Sequence, residues 1–226
     1  MVATHAAPVV GVRTAAITAT GLGIVHAVLY VISFWILHQV PDGADTDQTV
    51  LGYYLDPDHR RWVLIAGIYL MPLAAISFIW FITTLRMWIA DHGHPEHALF
   101  SNLQLAAGIV YVTLTLVAAA AFTVGAAAVE LAAAPVDPST VRAFAQFGRL
   151  LEVMVAMRIA AMFVLATASI GRYTRALPTW FTVVSVLIGL TLLLTATLDA
   201  RFALLFPVWL FALCVIILTR LRRSGT

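Results

Sequence analysis

The candidates for chemistry are the few charged and titratable side chains set inside long apolar stretches. The stretch from 141 to 170, VRAFAQFGRLLEVMVAMRIAAMFVLATASI, carries Arg149, Glu152 and Arg158. A charge at the centre of a bilayer costs about 3 kcal/mol on insertion scales, so each of these needs a partner or a task. If the stretch is one helix, Arg149 and Glu152 stand about 60° apart on its surface and can pair on one face. Arg158 points about 180° from Arg149 and needs a partner from another helix. Counted at helical rise from the Ile170 end, Arg158 lies about 18 Å deep, Glu152 about 27 Å and Arg149 about 31 Å.

Other polar residues fall at matching depths. His26 comes out near about 15 Å, Tyr111 near about 16 Å and Thr191 near about 18 Å. The expected middle layer is therefore Arg158, His26, Tyr111 and Thr191. A second layer towards the other end holds His38, Arg149, Glu152 and Asp199. Chemistry suited to Arg158 is anion, substrate, quinone or lipid-headgroup binding, or proton linkage. The competing reading is that these polar groups only link helices, or that Arg149 and Glu152 reach out to interfacial water.

A second cluster is Asp91, His92, His94, Glu96 and His97. His92, His94 and His97 are suited to a divalent metal. Their spacing matches no structural-zinc pattern, and Gly93 and Pro95 point to a solvated turn. No cofactor is predicted beyond that metal reading. His26 and His38 are about 18 Å apart along one helix and cannot ligate one haem iron. HExxH, GxSxG and Gly-rich phosphate loops do not occur, so an enzyme is the less favoured class. Cys214 is the sole cysteine, which excludes an intramolecular disulfide and a CxxC pair.

The elements that must position these residues follow from composition. The chain has 226 residues, 62% hydrophobic and 11% charged, against about 25% charged in a soluble domain. One soluble core of this length could not hide so much apolar surface. A bilayer accepts it, as about six helices of 20 or more residues. The expected spans are 14–40, 62–85, 100–129, 141–170, 179–198 and 202–219, in a single all-α transmembrane domain. Pro72 and Pro207 are expected to kink their spans. Span 1 is too long for a cleaved signal and is read as a retained helix.

All thirteen basic residues are arginines. With the N-terminus inside, Arg13, Arg86, Arg172, Arg175, Arg220, Arg222 and Arg223 are cytoplasmic. Arg60, Arg61, Arg142 and Arg201 are then outside, so the positive-inside rule puts both termini in the cytoplasm of a plasma-membrane protein. The net charge of +2 carries no basic stripe and excludes a nucleic-acid footprint.

The run DPDHRRWVLIAGIYLMPLAAISFIWFITTLR, Arg158 within MRIAAMFVLATAS, and RALPTW before span 5 resemble uncharacterised six-helix integral membrane proteins common in actinobacteria. The likeness covers most of the chain. It implies a six-helix fold, no established activity and no catalytic residues. The sequence therefore points to a non-enzymatic bundle, either one that binds a lipid or amphiphile around Arg158 or an accessory subunit of a larger membrane complex. Its partners are expected to be membrane lipids, other membrane subunits or a second copy. A small transporter or channel subunit using Arg158 is the alternative, and a membrane enzyme or redox protein the third reading.

Overall fold

A computed structural model describes residues 9–90 and 97–223 of the chain. Among these residues every regular element is helical. Helix α1 is Val9–Leu37, and α2 is the short Asp47–Leu55. Helix α3 runs Pro57–Leu64, widens into a π turn over Ile65–Leu70 and continues as Met71–Ala90. Helix α4 is His97–Glu130. Helix α5 runs Pro138–Leu150, a π turn over Leu151–Ala156, and Met157–Tyr173. Helix α6 is Thr179–Leu194, and α7 is Leu205–Arg223 after a 3-10 turn at Ala200–Leu204.

The helix starts have chemical causes. Asp137 opens α5 by accepting from the Thr140 backbone N–H at 3.0 Å, with Pro138 in the first turn. Asp56 accepts from the Asp58 N–H at 2.8 Å, with Pro57 in the first turn of α3. Thr46 accepts from the Thr49 N–H at 3.2 Å and opens α2. Each side-chain oxygen satisfies a backbone donor that the helix itself leaves without a partner, and proline loses nothing at such a position.

By length and composition, five helices can cross a membrane: α1, α3, α4, α5 and α7 with its 3-10 turn. Helix α6 is different. It has 16 residues, about 24 Å of helix, against a hydrocarbon core of about 30 Å. The expected span 179–198 is thus too long. Beyond Leu194 the chain is extended until the turn at Ala200.

The two prolines sit in different backbone settings. Pro72 follows the π turn, in which the Met71 N–H reaches back to the Ala66 carbonyl. The widened turn changes the bonding register just ahead of the residue that lacks a donor. Pro207 lies in the first turn of α7 and interrupts no helix interior.

Helix α1 packs on α3 and α7, α4 lies between α3 and α5, and α6 packs mainly on α5. The middle of the bundle is filled with rings. Phe78 lies 5.2 Å from Phe163 and 5.8 Å from Phe206, and Phe206 lies 5.9 Å from Trp209, centroid to centroid. These side chains are fully buried, so the axis is a packed core.

Candidate functional site

Towards the acid-rich end of the bundle, α1 presents one titratable stripe. His26, Tyr30, Phe34 and His38 follow one another at four-residue spacing, which keeps them on one side of the helix. Successive ring centroids are 5.8, 6.4 and 4.0 Å apart. The stripe faces Phe78 on α3, Tyr111 and Phe122 on α4, and Glu152 on α5.

Glu152 is the centre of the arrangement. It is only 2% exposed and sits in the π turn of α5. Its Oε1 accepts from the Tyr30 hydroxyl at 2.6 Å. Its Oε2 lies 3.4 Å from His38 Nε2, a long approach that meets no hydrogen-bond geometry. The Tyr111 hydroxyl shares this electrostatic neighbourhood, approaching Tyr30 without closing a well-aligned bond.

The histidine tautomers follow from the acceptors they face. His38 Nδ1 is 3.0 Å from the Phe34 carbonyl, and His26 Nδ1 is 2.9 Å from the Ala74 carbonyl. A carbonyl oxygen only accepts, so Nδ1 carries the proton in both rings. A neutral His38 then turns the Nε2 lone pair towards Glu152 Oε2. Two lone pairs facing each other in a dry core repel, so one proton belongs between them, on the carboxyl or on the ring. His26 Nε2 is buried and has no hydrogen-bond partner among the described residues.

Arg149 does not pair with Glu152. Its Nη1 donates to Asp42 Oδ2 at 2.5 Å, about a turn along α5 from the carboxyl. The reason is reach: Asp42 lies in the loop after α1, where the pair stays partly hydrated, and a guanidinium loses less there than beside a buried carboxyl. The Ala44 backbone N–H and Arg149 together hold the Asp42 carboxyl below its ordinary value. Two further ion pairs, Arg60–Glu130 at 2.6 Å and Arg142–Asp47, join α3 to α4 and α2 to α5.

Arg158 is placed otherwise than expected. It is half-buried, and its Nη1 donates to the Met154 carbonyl of its own helix. No acidic partner reaches it among the described residues. Gly189 of α6 lies against Leu165 and the Ala161 carbonyl of α5, where a Cβ would come within 2.7 Å of the leucine. Following the antiparallel helices from that contact brings Leu194, the last residue of α6, about level with Arg158. By that count the arginine lies level with the end of a neighbouring helix. The last carbonyls of α6 lack intrahelical donors, and that end carries the negative pole of the helix dipole.

No family model, curated protein or solved structure matches this chain.

Of the expected middle layer, His26 and Tyr111 come together, with ring centroids 6.1 Å apart. Thr191 is exposed and bonds the Leu187 carbonyl of its own helix. Of the second layer, His38 and Glu152 meet. Asp199 is exposed and caps the 3-10 turn through the Arg201 N–H at 3.0 Å, so it belongs to neither layer. His92 and His94 lie outside the described residues, as do Asp91 and Glu96, and His97 opens α4. Among the described residues no three His, Cys, Asp or Glu side chains are grouped to hold a metal.

Tyr30 is not among the residues singled out from the sequence, although its four-residue spacing from His26 is a usable signal. Two buried links gave none. Gln104 donates to Thr167 at 2.6 Å between α4 and α5, and Trp209 donates to Ser185 at 2.9 Å between α7 and α6.

Proposed function

We propose that this chain is a six-span, non-enzymatic protein of the plasma membrane, with both termini cytoplasmic, whose working centre is a proton-exchanging site at Glu152. The class that uses such a centre is the small proton-linked transporter subunit. One observation carries the reading: a fully buried carboxyl meets a tyrosine hydroxyl at 2.6 Å and an imidazole nitrogen at 3.4 Å. This set needs a single proton whose position is open. An ionisable residue within a membrane helix marks a functional site by default, because its cost must be recovered somewhere.

The surroundings support proton exchange over ligand passage. Phe78, Phe163, Phe206 and Trp209 fill the axis of the bundle with packed rings, which favours proton exchange over passage of a solute. Protons move between exchangeable groups that lie close together, and His38, Tyr30, Tyr111 and His26 lie around or near Glu152, with the Tyr30–Glu152 bond closed at 2.6 Å. The π turn that holds Glu152 is a backbone feature found often at functional sites. Kinship with the actinobacterial six-helix proteins belongs to the same proposal and rests on the sequence resemblance.

The test is infrared difference spectroscopy of purified protein across the range in which carboxyls and imidazoles titrate. A protonated-carboxyl band that responds to pH and is absent from Glu152→Gln is the expected result. A carboxyl that keeps one protonation state throughout would mean that the cluster only links helices. Proteoliposomes loaded with a pH dye then report whether exchange is coupled to passage across the bilayer.

A second reading, an accessory subunit of a larger assembly, draws on Arg158. A half-buried arginine with no acidic partner among the described residues is suited to a carboxylate or carbonyl from another membrane chain or a second copy. Crosslinking from positions beside Arg158 in native membranes tests it, and recovery of the monomer alone removes it.

A further inference from the structure

The opposite end of the bundle carries a recess of about 530 Å³ where the α5–α6 turn meets the end of α7. Arg172, Arg175 and Arg220 line it, together with Thr179, Thr182 and Val183 at the start of α6. Arg220 Nη1 donates to the Arg175 and Ala176 carbonyls at 3.0 and 2.8 Å, which clamps the turn against α7. No acidic side chain pairs with the three arginines among the described residues.

Arg175 has a backbone φ of 56°, in the left-handed region. That position ends a helix and is ordinarily given to glycine or asparagine. The turn around it is tight: the Leu177 N–H reaches the Gly171 carbonyl at 3.3 Å, and a Cβ on Gly171 would come within 2.3 Å of the Leu177 side chain. Glycine would therefore suit position 175 better for the backbone alone, and an arginine there places a guanidinium at the recess.

Below the recess the outer face of α6 is apolar and exposed, with Trp180, Val183, Val184 and Leu187. Trp180 is in the first turn of this apolar helix, and indoles are enriched at membrane interfaces. We infer that the recess holds the phosphate headgroup of an anionic phospholipid, whose acyl chain lies along this α6 face. Charge complementarity selects an anion, and an apolar face continuous with the recess selects a lipid over a free anion. Basic pockets between membrane helices take such headgroups. The inference rests on the membrane reading above and is independent of proton exchange at Glu152.

Native mass spectrometry of detergent-purified protein tests it, with phosphatidylglycerol, phosphatidylcholine and inorganic phosphate as probes. Retention of phosphatidylglycerol in preference to phosphatidylcholine is expected. Arg172→Gln combined with Arg175→Gly should weaken that retention on the order of tenfold. Arg175→Gly alone should stay folded, since glycine accepts its φ, so a loss of lipid there is a loss of binding. Equal retention of both lipids, or undiminished phosphatidylglycerol on the double variant, would overturn the assignment. Displacement of the lipid by inorganic phosphate at comparable concentration would make this a soluble-anion site and overturn it as well. Alkaline extraction of native membranes is the separate check on the membrane reading: release of the chain there defeats that reading, whatever the lipid result.

Discussion

The Tyr30 hydroxyl donates to Glu152 Oε1 at 2.6 Å across the α1–α5 interface, and both side chains are buried. Tyr30→Phe removes the donor and leaves a buried carboxyl with less to bond. It should lower stability by about 1–3 kcal/mol, the cost of stranding a buried polar group. Glu152→Gln should cost less, because its amide oxygen still accepts from Tyr30. Thermal unfolding of both variants in one detergent checks the ranking. A Tyr30→Phe protein as stable as the parent would mean that the hydroxyl contact carries no weight.

Asp42 and Arg149 make the loop end of this site sensitive to acid. The folded Asp42 carboxyl is held below its ordinary value by the Ala44 N–H and by Arg149. The stabilisation it gives is therefore fully present above the unfolded carboxyl pKa and is lost as pH falls through the lower, folded one. The Asp42 side chain is 35% exposed, so solvent screening limits the pair to about 0.5 kcal/mol. Stability followed against pH should show this loss in the parent and a flatter acid limb in Asp42→Asn. Identical limbs would exclude a contribution from the pair.

Close helix approach gives a test of the packing itself. A Cβ on Gly67 would come within 2.1 Å of Thr123 Cγ2 and 3.3 Å of the Ala119 carbonyl, where the π turn of α3 meets α4. Gly67→Ala should destabilise by about 1–3 kcal/mol through overpacking. Adding Thr123→Ser deletes the offending methyl and should recover most of that loss, a coupling that the double-mutant cycle reads directly. Gly21→Ala is the control: nothing lies within 4 Å of its Cβ, so it should gain up to about 1 kcal/mol from helix propensity.

The positions of the long helices are legible in the sequence because apolar runs and arginine-rich ends are local signals. The helices nevertheless start at Pro57 and Pro138, ahead of the expected 62 and 141, because Asp56 and Asp137 cap polar first turns that an apolar run does not reveal. The π turns at Ile65–Leu70 and Leu151–Ala156 are not legible in the sequence: Pro72 lies just beyond the first, but no proline accompanies the second. Partner choice was harder still. Arg149 and Glu152 have the spacing of a helix pair, yet Arg149 goes to Asp42, 107 positions away in the chain. His26 and Tyr111 fall at one depth by helical rise and do meet, but equal depth holds only where each span crosses fully. The short α6 breaks that condition and misplaces Thr191.

The length of α6 also decides how Arg158 is read. If α6 ends level with Arg158, water reaches Thr195 from the acid-rich side, and the arginine lies near that water. Cysteine scanning tests this on a Cys214→Ser background, although the buried Cys214 thiol itself should react little. A membrane-impermeant maleimide should label Thr195→Cys and leave Val184→Cys, inside the helix, unlabelled. Arg158→Gln should then cost under about 1 kcal/mol, because among the described residues the arginine bonds only to Met154 of its own helix. Protection of Thr195→Cys, together with a severe loss of stability in Arg158→Gln, would place the arginine in a dry interior and give it a partner from another chain. Labelling with a mild Arg158→Gln phenotype would leave Glu152 as the position whose charge the fold alone does not explain.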